Sequence, residues 1–254
     1  MLFFFLGNLL AQKEERVTVK ILSFNILHGK TTNGSFDLDI IANVIKKADA
    51  DFVSLQEVDF KTNRAKKYDL PTELGCRTKM ASVFGRAMYY DGGEYGEGVL
   101  SKYSFLSTKN VALPYTKGNE PRAALEITTV LKSGDTISFI GTHLDHLKDE
   151  TDKIMQANAI IDSLGNTKLP TLIVGDLNAT PDSKTIKILT KKFKKPNHKK
   201  AFEGTYPSKT KPTICIDHIL FNMAKKWKVL DYEIVCENYA SDHCIVVATL
   251  VYIP

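Results

Sequence analysis

The sequence predicts an α/β protein in which two β-sheets pack against each other with helices outside. Three observations lead there. Apolar strand-like runs number about nine, against three or four helical ones. A single parallel sheet needs roughly one crossover helix per strand, so that architecture does not fit the count. The 254 residues, 43% hydrophobic and 25% charged, suffice for a large core and show no repeat or linker. One domain over residues 13–254 is therefore expected.

In chain order, VTVKILSFNI reads as a strand, and DLDIIANVIKKA has apolar residues at helical spacing with Asp37 placed as N-cap. DFVSLQEV, GEGVLSK, AALEITTVL and TISFIGTHL read as four more strands. Residues 151–164 form a helical pattern closed by Gly165. TLIVGDLN is a strand, SKTIKILTKKF a helix, and TICIDHILF, DYEIVC and HCIVVATLVYI are late strands. YYDGGEYGEG reads as a hairpin or loop feeding a strand, with Tyr89, Tyr90 and Tyr95 able to stack on a base or sugar. KKFKKPNHKKAF is expected to be a solvated helix end and loop.

Residues 1–12 are nearly all apolar up to Lys13. They fall short of the ~20 residues of a membrane span and are expected to be a signal segment or tail. As a signal they imply export to the periplasm, the surface or the medium; otherwise the cytoplasm is expected. The four cysteines lack C-x-x-C spacing, which argues against zinc. Buried free thiols are the expectation, with one disulfide among Cys215, Cys236 and Cys244 as the alternative if the chain is exported. The net charge of +5 permits an anionic substrate without requiring nucleic acid.

What ends these apolar strands is polar. Asn25 ends the first and Glu57 the second; His143, Asp145 and His146 follow TISFIGT. Asp176 and Asn178 close TLIVGDLN, Asp217 interrupts TICIDHILF, and Ser241, Asp242 and His243 open the last strand. Any one of them could merely end a strand. Together they are costly, since burying such groups singly without partners costs ~2–7 kcal/mol each. The cost is least if they meet around a cation and an anion, and converging strand ends are where α/β proteins build sites. Glu57, Asp242 and the oxygen of Asn25 suit a hard, hydrated cation such as Mg²⁺, with Mn²⁺ as a substitute. His143 and His243 can move protons near neutral pH, and Asp217 can orient His243. Asp242 and His243 are neighbours, so both serve one pocket only if the backbone turns there.

FNILHG, LQEVD, GTHLDH, GDLNATP, IDHILF and SDHCIV, in this order over residues 19–252, resemble the endonuclease/exonuclease/phosphatase superfamily. The resemblance implies a four-layer α/β/β/α sandwich of two mixed sheets and Mg²⁺-dependent cleavage of phosphoester bonds. It implies that Glu57, Asn25 and Asp242 hold the metal and that Asp176 activates the attacking water. Asn178 would hold a phosphate oxygen, the His243–Asp217 pair would serve phosphate contact or proton transfer, and His143 would stand near the leaving group. Arg122 would face the phosphate, while Asp145, on the same face as His143 in an extended strand, is expected on that spacing to touch the substrate or brace the histidine. Leu27 departs from the pattern, because some members carry an Asp there as a further ion ligand. The expected partner is a phosphate ester: nucleic acid, a phospholipid head group, or an inositol or sugar phosphate. No stable protein partner and no membrane span are expected. A non-catalytic binding module on the same sandwich is the alternative from another class.

Overall fold

The computed structural model describes residues 16–253 except 197 and 223–225. The expectations for residues 1–12 lie outside the described residues.

Eleven strands are described, in two sheets. The six-stranded sheet holds β1 (Val17–Asn25), β2 (Phe52–Phe60), β3 (Ala81–Tyr90), β4 (Gly93–Ser101), β10 (Trp227–Val235) and β11 (Ile245–Tyr252), in the order β10-β11-β1-β2-β4-β3. The five-stranded sheet runs β5 (Phe105–Leu113), β6 (Arg122–Val130), β7 (Thr136–His143), β8 (Thr171–Asp176) and β9 (Asp217–Phe221) in sequence order. Both are mixed: β1 pairs β2 and β7 pairs β8 in parallel, and the other pairs are antiparallel.

Strand alternation builds the layers. In β1, Val19 and Ile21 enter the core between the sheets, with Phe139 and Val174 of the opposite sheet. Leu22 and Phe24 instead pack beneath α1 (Leu38–Ala48) and α2 (Leu70–Thr78). On the other side Ile140, Ile173 and Leu220 pack under α3 (Thr151–Ile160) and α4 (Lys184–Leu189). The result is the four-layer sandwich. Asp37 caps α1 as the sequence suggests, accepting a hydrogen bond from the Asp39 N–H, and Ser183 caps α4.

Three elements exceed the sequence reading: α2, β3 and β5. β3 and β4 form a hairpin whose two-residue turn is Asp91–Gly92, both at positive φ (45° and 71°), the backbone such turns require. The expected free thiols are corrected at two positions. Cys236 and Cys244 form a disulfide, while Cys76 and Cys215 are free. The reason is register: Val235 pairs Ile245 as the last rung of β10–β11, and the two cysteines are the next pair outward. No described helix is long and apolar enough to cross a membrane.

Candidate active site

Strand direction brings the polar tips together. β1, β2, β7 and β8 end, and β6, β9 and the approach to β11 begin, at one rim of the sandwich. Within the five-stranded sheet His143 pairs Asp176 and Asp176 pairs Asp217. These three side chains therefore form one row on one face. Gly175 makes the row possible: a Cβ there would lie 1.8 Å from the Thr142 carbonyl oxygen, so any side chain would push β8 off β7.

His243 closes the row. Its Nδ1 lies 3.0 Å from Asp217 Oδ2 and its Nε2 3.7 Å from Asp176 Oδ2. Burial disfavours the cation, yet the two carboxylates outweigh it and raise the His243 pKa to about 10. Asp176 moves the other way from an ordinary acid: burial, then the charge of Asp217, push it up to about 7. The Asn178 N–H donates to Asp176 Oδ1 at 2.9 Å and fixes its rotation. Residues 241–244 lie outside any strand, so the backbone turns there as expected, and Asp242 and His243 both line the cavity. Ser241 anchors the turn through its hydroxyl, which donates to the Asn25 carbonyl at 2.6 Å and accepts from the His243 N–H at 3.1 Å.

His143 is buried among polar groups. Arg122 Nη1 is 3.0 Å from Nδ1, the Asn178 amide nitrogen 2.9 Å from Nε2, and Asp176 Oδ2 3.4 Å from Nε2. Arginine only donates, so Nδ1 accepts. Burial and the Arg122 charge hold the ring well below its usual pKa, hence neutral.

Glu57 reaches the cavity by a bulge. The β2–β4 register shifts between Leu55 and Val58, and Glu57 sits at φ 56°, a conformation costing of order 1–3 kcal/mol for a non-glycine residue. Burial would raise its carboxyl pKa, but hydrogen bonds from His28 and Asn25 bring it down to about 2. Asn25 Nδ2 lies 3.1 Å from Glu57 Oε1 and 3.4 Å from Asp176 Oδ2, so one amide spans both carboxylates. Its oxygen is turned instead to the Leu27 N–H. Holding a cation through that oxygen requires a half-turn of the amide.

Asp176, Asp217 and His243 also meet the spacing of a metal triad, with ligand atoms within 4.8 Å of one another. Chemistry argues otherwise, because both imidazole nitrogens already face carboxylate oxygens. The oxygen set of Glu57 and Asp242, with Asn25 beside it, fits a hard cation better.

These groups open into one cavity of about 470 Å³. Three expected residues do not line it: Asn25 and Asp217, which reach it through their bonds to Glu57 and His243, and Asp145. Asp145 lies behind the wall, its Oδ2 accepting from the Leu147 N–H at 3.1 Å and its Oδ1 buried without a partner. β7 stops at His143, so the extended geometry that would have put Asp145 on the same face as His143 does not persist. His146 lines the cavity instead, 3.3 Å from Arg122 Nη2. Arg64, Met88, Glu120, Tyr206 and Ile216 line it too, none of them marked by a strand-end signal.

A two-sheet sandwich with an acid–amide–imidazole cluster at its rim is the arrangement that the resemblance of FNILHG, LQEVD, GDLNATP and SDHCIV implies. The chain belongs to the endonuclease/exonuclease/phosphatase family, whose model matches residues 22–243. Members of that family are phosphoric ester hydrolases that use divalent metals. Among solved structures, a family protein from Bacteroides thetaiotaomicron is 16% identical with a TM-score of 0.77, over 94% of this chain and 96% of that one. A mannosyl-6-phosphatase from Bacteroides thetaiotaomicron VPI-5482 is 19% identical with a TM-score of 0.73, over 92% and 100%. The TDP2 of D. rerio, complexed with a single-strand DNA product, is 18% identical with a TM-score of 0.71, over 92% and 98%.

Proposed function

We propose that the protein hydrolyses phosphoesters by in-line attack of water with the help of a divalent cation, Mg²⁺ first and Mn²⁺ as a substitute. The observation that carries this reading is the row His143–Asp176–Asp217 closed by His243 over one cavity. Asp176, raised to about 7, is matched to taking a proton from water near neutral pH. His243, kept cationic by two carboxylates, offers Nε2–H to a phosphate oxygen, and Asp217 fixes its ring. Asn178 and Arg122 supply further donors. Neutral His143 accepts from Arg122 at Nδ1 and so carries its proton on Nε2, 3.4 Å from Asp176 Oδ2, on the leaving-group side. Glu57 and Asp242, joined by Asn25 once its amide turns, would hold the cation, which when bound offsets the negative charge growing on the phosphate oxygens.

Export is part of the same reading. The disulfide supports it, since disulfides persist mainly in oxidising compartments. Nuclease, lipid head-group phosphodiesterase and sugar or inositol phosphatase activities are all compatible with the cavity.

The test is turnover of bis-p-nitrophenyl phosphate and p-nitrophenyl phosphate by purified protein with Mg²⁺, with Mn²⁺ and with EDTA. Metal-restored hydrolysis of either ester is expected. Hydrolysis indifferent to chelator, or none of any phosphoester under metal, overturns the reading.

A further inference from the structure

The wall of the cavity away from the His143–Asp176–Asp217 row carries a second cationic centre. Arg64 lies between β2 and α2, in a lysine-rich stretch that by composition reads as solvated loop. Its guanidinium is nevertheless fixed from three sides. Nε donates to Asp59 Oδ2 at 2.7 Å and Nη2 to Asp59 Oδ1 at 2.8 Å, a two-pronged pair with a fully buried carboxylate. Thr62 Oγ1 donates to the same Asp59 Oδ2 at 2.6 Å and holds the acid in place. The guanidinium carbon then lies 4.6 Å from the Tyr90 ring centroid and 5.5 Å from that of Tyr95. Its backbone N–H is tied as well, to Asp91 Oδ2 at 2.7 Å.

This arrangement leaves one edge free. A guanidinium has five N–H donors in a planar fork. The Asp59 pair consumes the Nε/Nη2 side, and Nη1 has no partner among the described residues. The Nη1/Nη2 end is left as a second fork, and Arg64 lines the same cavity as Glu57, Arg122, Asp176 and His243. An arginine normally gives up about 2 kcal/mol of rotamer freedom when a ligand orders it. Here the protein has already ordered it, which is how a recognition arginine differs from a surface one. The geometry of the open fork matches an oxyanion with two oxygens in a plane.

The reacting phosphate does not need it. Arg122, Asn178 and His243 already converge on the row, and Glu120 balances Arg122 with Oε1 3.1 Å from Nη1. Tyr95 packs against Arg64 and is buried with a neutral hydroxyl, and among the described residues Asp59 is the one carboxylate that bonds the guanidinium, on its other edge.

We infer that Arg64 is a second anion subsite in the catalytic cavity, and that the substrate carries a second phosphate beside the one that reacts. The inference rests on the phosphoester reading above for the identity of the first phosphate. A nucleic acid strand and a sugar or inositol bisphosphate both present a neighbouring phosphate, so the shared chemistry is what the fork recognises.

Calorimetric binding separates this from the catalytic reading because it needs no turnover. The full chain with Mg²⁺ is titrated with thymidine 3′,5′-bisphosphate against thymidine 5′-monophosphate, and with myo-inositol 1,4-bisphosphate against myo-inositol 1-phosphate. The wild type is expected to prefer the bisphosphate in at least one pair, and that pair names the source. In Arg64→Gln the bisphosphate-to-monophosphate affinity ratio should fall by about tenfold or more, the loss of a charge-assisted fork. Because Arg64→Gln leaves Asp59 buried and unpaired, Arg64→Lys and the double change Asp59→Asn/Arg64→Gln are measured beside it. Each keeps the pair charge-balanced while removing the fork, and each should collapse the same ratio. A ratio that stays within twofold of wild type in folded variants, or a wild type that prefers neither bisphosphate, overturns the subsite. A collapsed ratio in a protein that cleaves no phosphoester leaves the subsite standing and sinks the catalytic reading alone.

Discussion

The floor of the cavity and its Tyr90–Arg64 wall are built by opposite means. The floor draws His143, Asp176 and Asp217 from three adjacent strands, so their relative positions are set by ladder hydrogen bonds and sheet register. The wall comes from the β3–β4 hairpin and the loop after β2, where side chains hold one another: Arg64 on Asp59, Tyr90 and Tyr95. Tyr90 is 40% exposed, whereas Asp176 is 1% exposed. A floor fixed by backbone tolerates little change and suits chemistry. A wall fixed by side chains can be rebuilt without disturbing the sheets and suits selectivity.

The sharpest way to break that contrast is to alter the floor. Asp176→Ala and His243→Ala should each lower kcat on bis-p-nitrophenyl phosphate by about 10³, with circular dichroism unchanged, because sheet register does not depend on either side chain. If either variant keeps more than a tenth of wild-type turnover, the floor is not the reacting centre.

The floor is legible in the sequence, whereas of the wall only Tyr90 and Tyr95 are, as rings able to stack on a substrate. An acid or imidazole at the end of an apolar run is locally anomalous, so Asn25, Glu57, His143, Asp176, Asp217 and His243 stand out from the residue order alone. Arg64 sits among lysines, where one more charge is unremarkable, and its importance comes from Asp59 and two tyrosines that the fold brings around it. β5 gives little signal because, as an edge strand, it is mostly exposed and shows little apolar alternation. α2 gives little because LPTELGCRT has only a weak apolar stripe and a glycine within it. Asp145 is misplaced when strand periodicity is extended two residues past the real end of β7. The disulfide depends on a register that composition cannot supply.

One member of the floor departs from the rule, and a smaller effect tests it. His243 lies outside the ladder, on the loop between β10 and β11 that the Cys236–Cys244 bridge closes. Ser208 and Thr205 also grip this loop: the Ser208 N–H donates to the Asp242 carbonyl at 2.7 Å, and the Cys244 N–H to the Thr205 carbonyl at 2.8 Å. The double change Cys236→Ser/Cys244→Ser should lower unfolding free energy by roughly 2–3 kcal/mol, the entropy of so short a loop. Turnover should fall by about tenfold, through imprecise placement of His243 rather than its loss. Dithiothreitol should reproduce both effects in the wild type and change nothing in the variant. Undiminished turnover in the reduced protein would show that side-chain and backbone hydrogen bonds suffice, as they do in the wall.

The smallest effect concerns how the floor responds to acid. His218, one residue past Asp217, is fully buried, and its Nε2 donates to the Ala179 carbonyl at 2.7 Å. Burial first, and then the charge of Lys195, lower its pKa to about 4. An unfolded histidine titrates near 6.5, so below that pH the unfolded chain takes the proton first. The stability due to neutral His218 is thus complete above about pH 6.5 and is lost progressively as pH falls toward 4. Between pH 7 and pH 5 the loss amounts to about 2 kcal/mol. His218→Gln keeps a donor for Ala179 but cannot titrate. Its urea-unfolding free energy should therefore drop by about 2 kcal/mol less than the wild type's over the same interval, while every other titrating group contributes equally to both. Hydrogen exchange should place the acid-induced opening in β8 and β9 and spare the β3–β4 hairpin, whose aromatic–arginine wall holds no histidine. Equal drops in the two proteins would mean that His218 is reached by water in the native state, and that the floor is less closed than its burial implies.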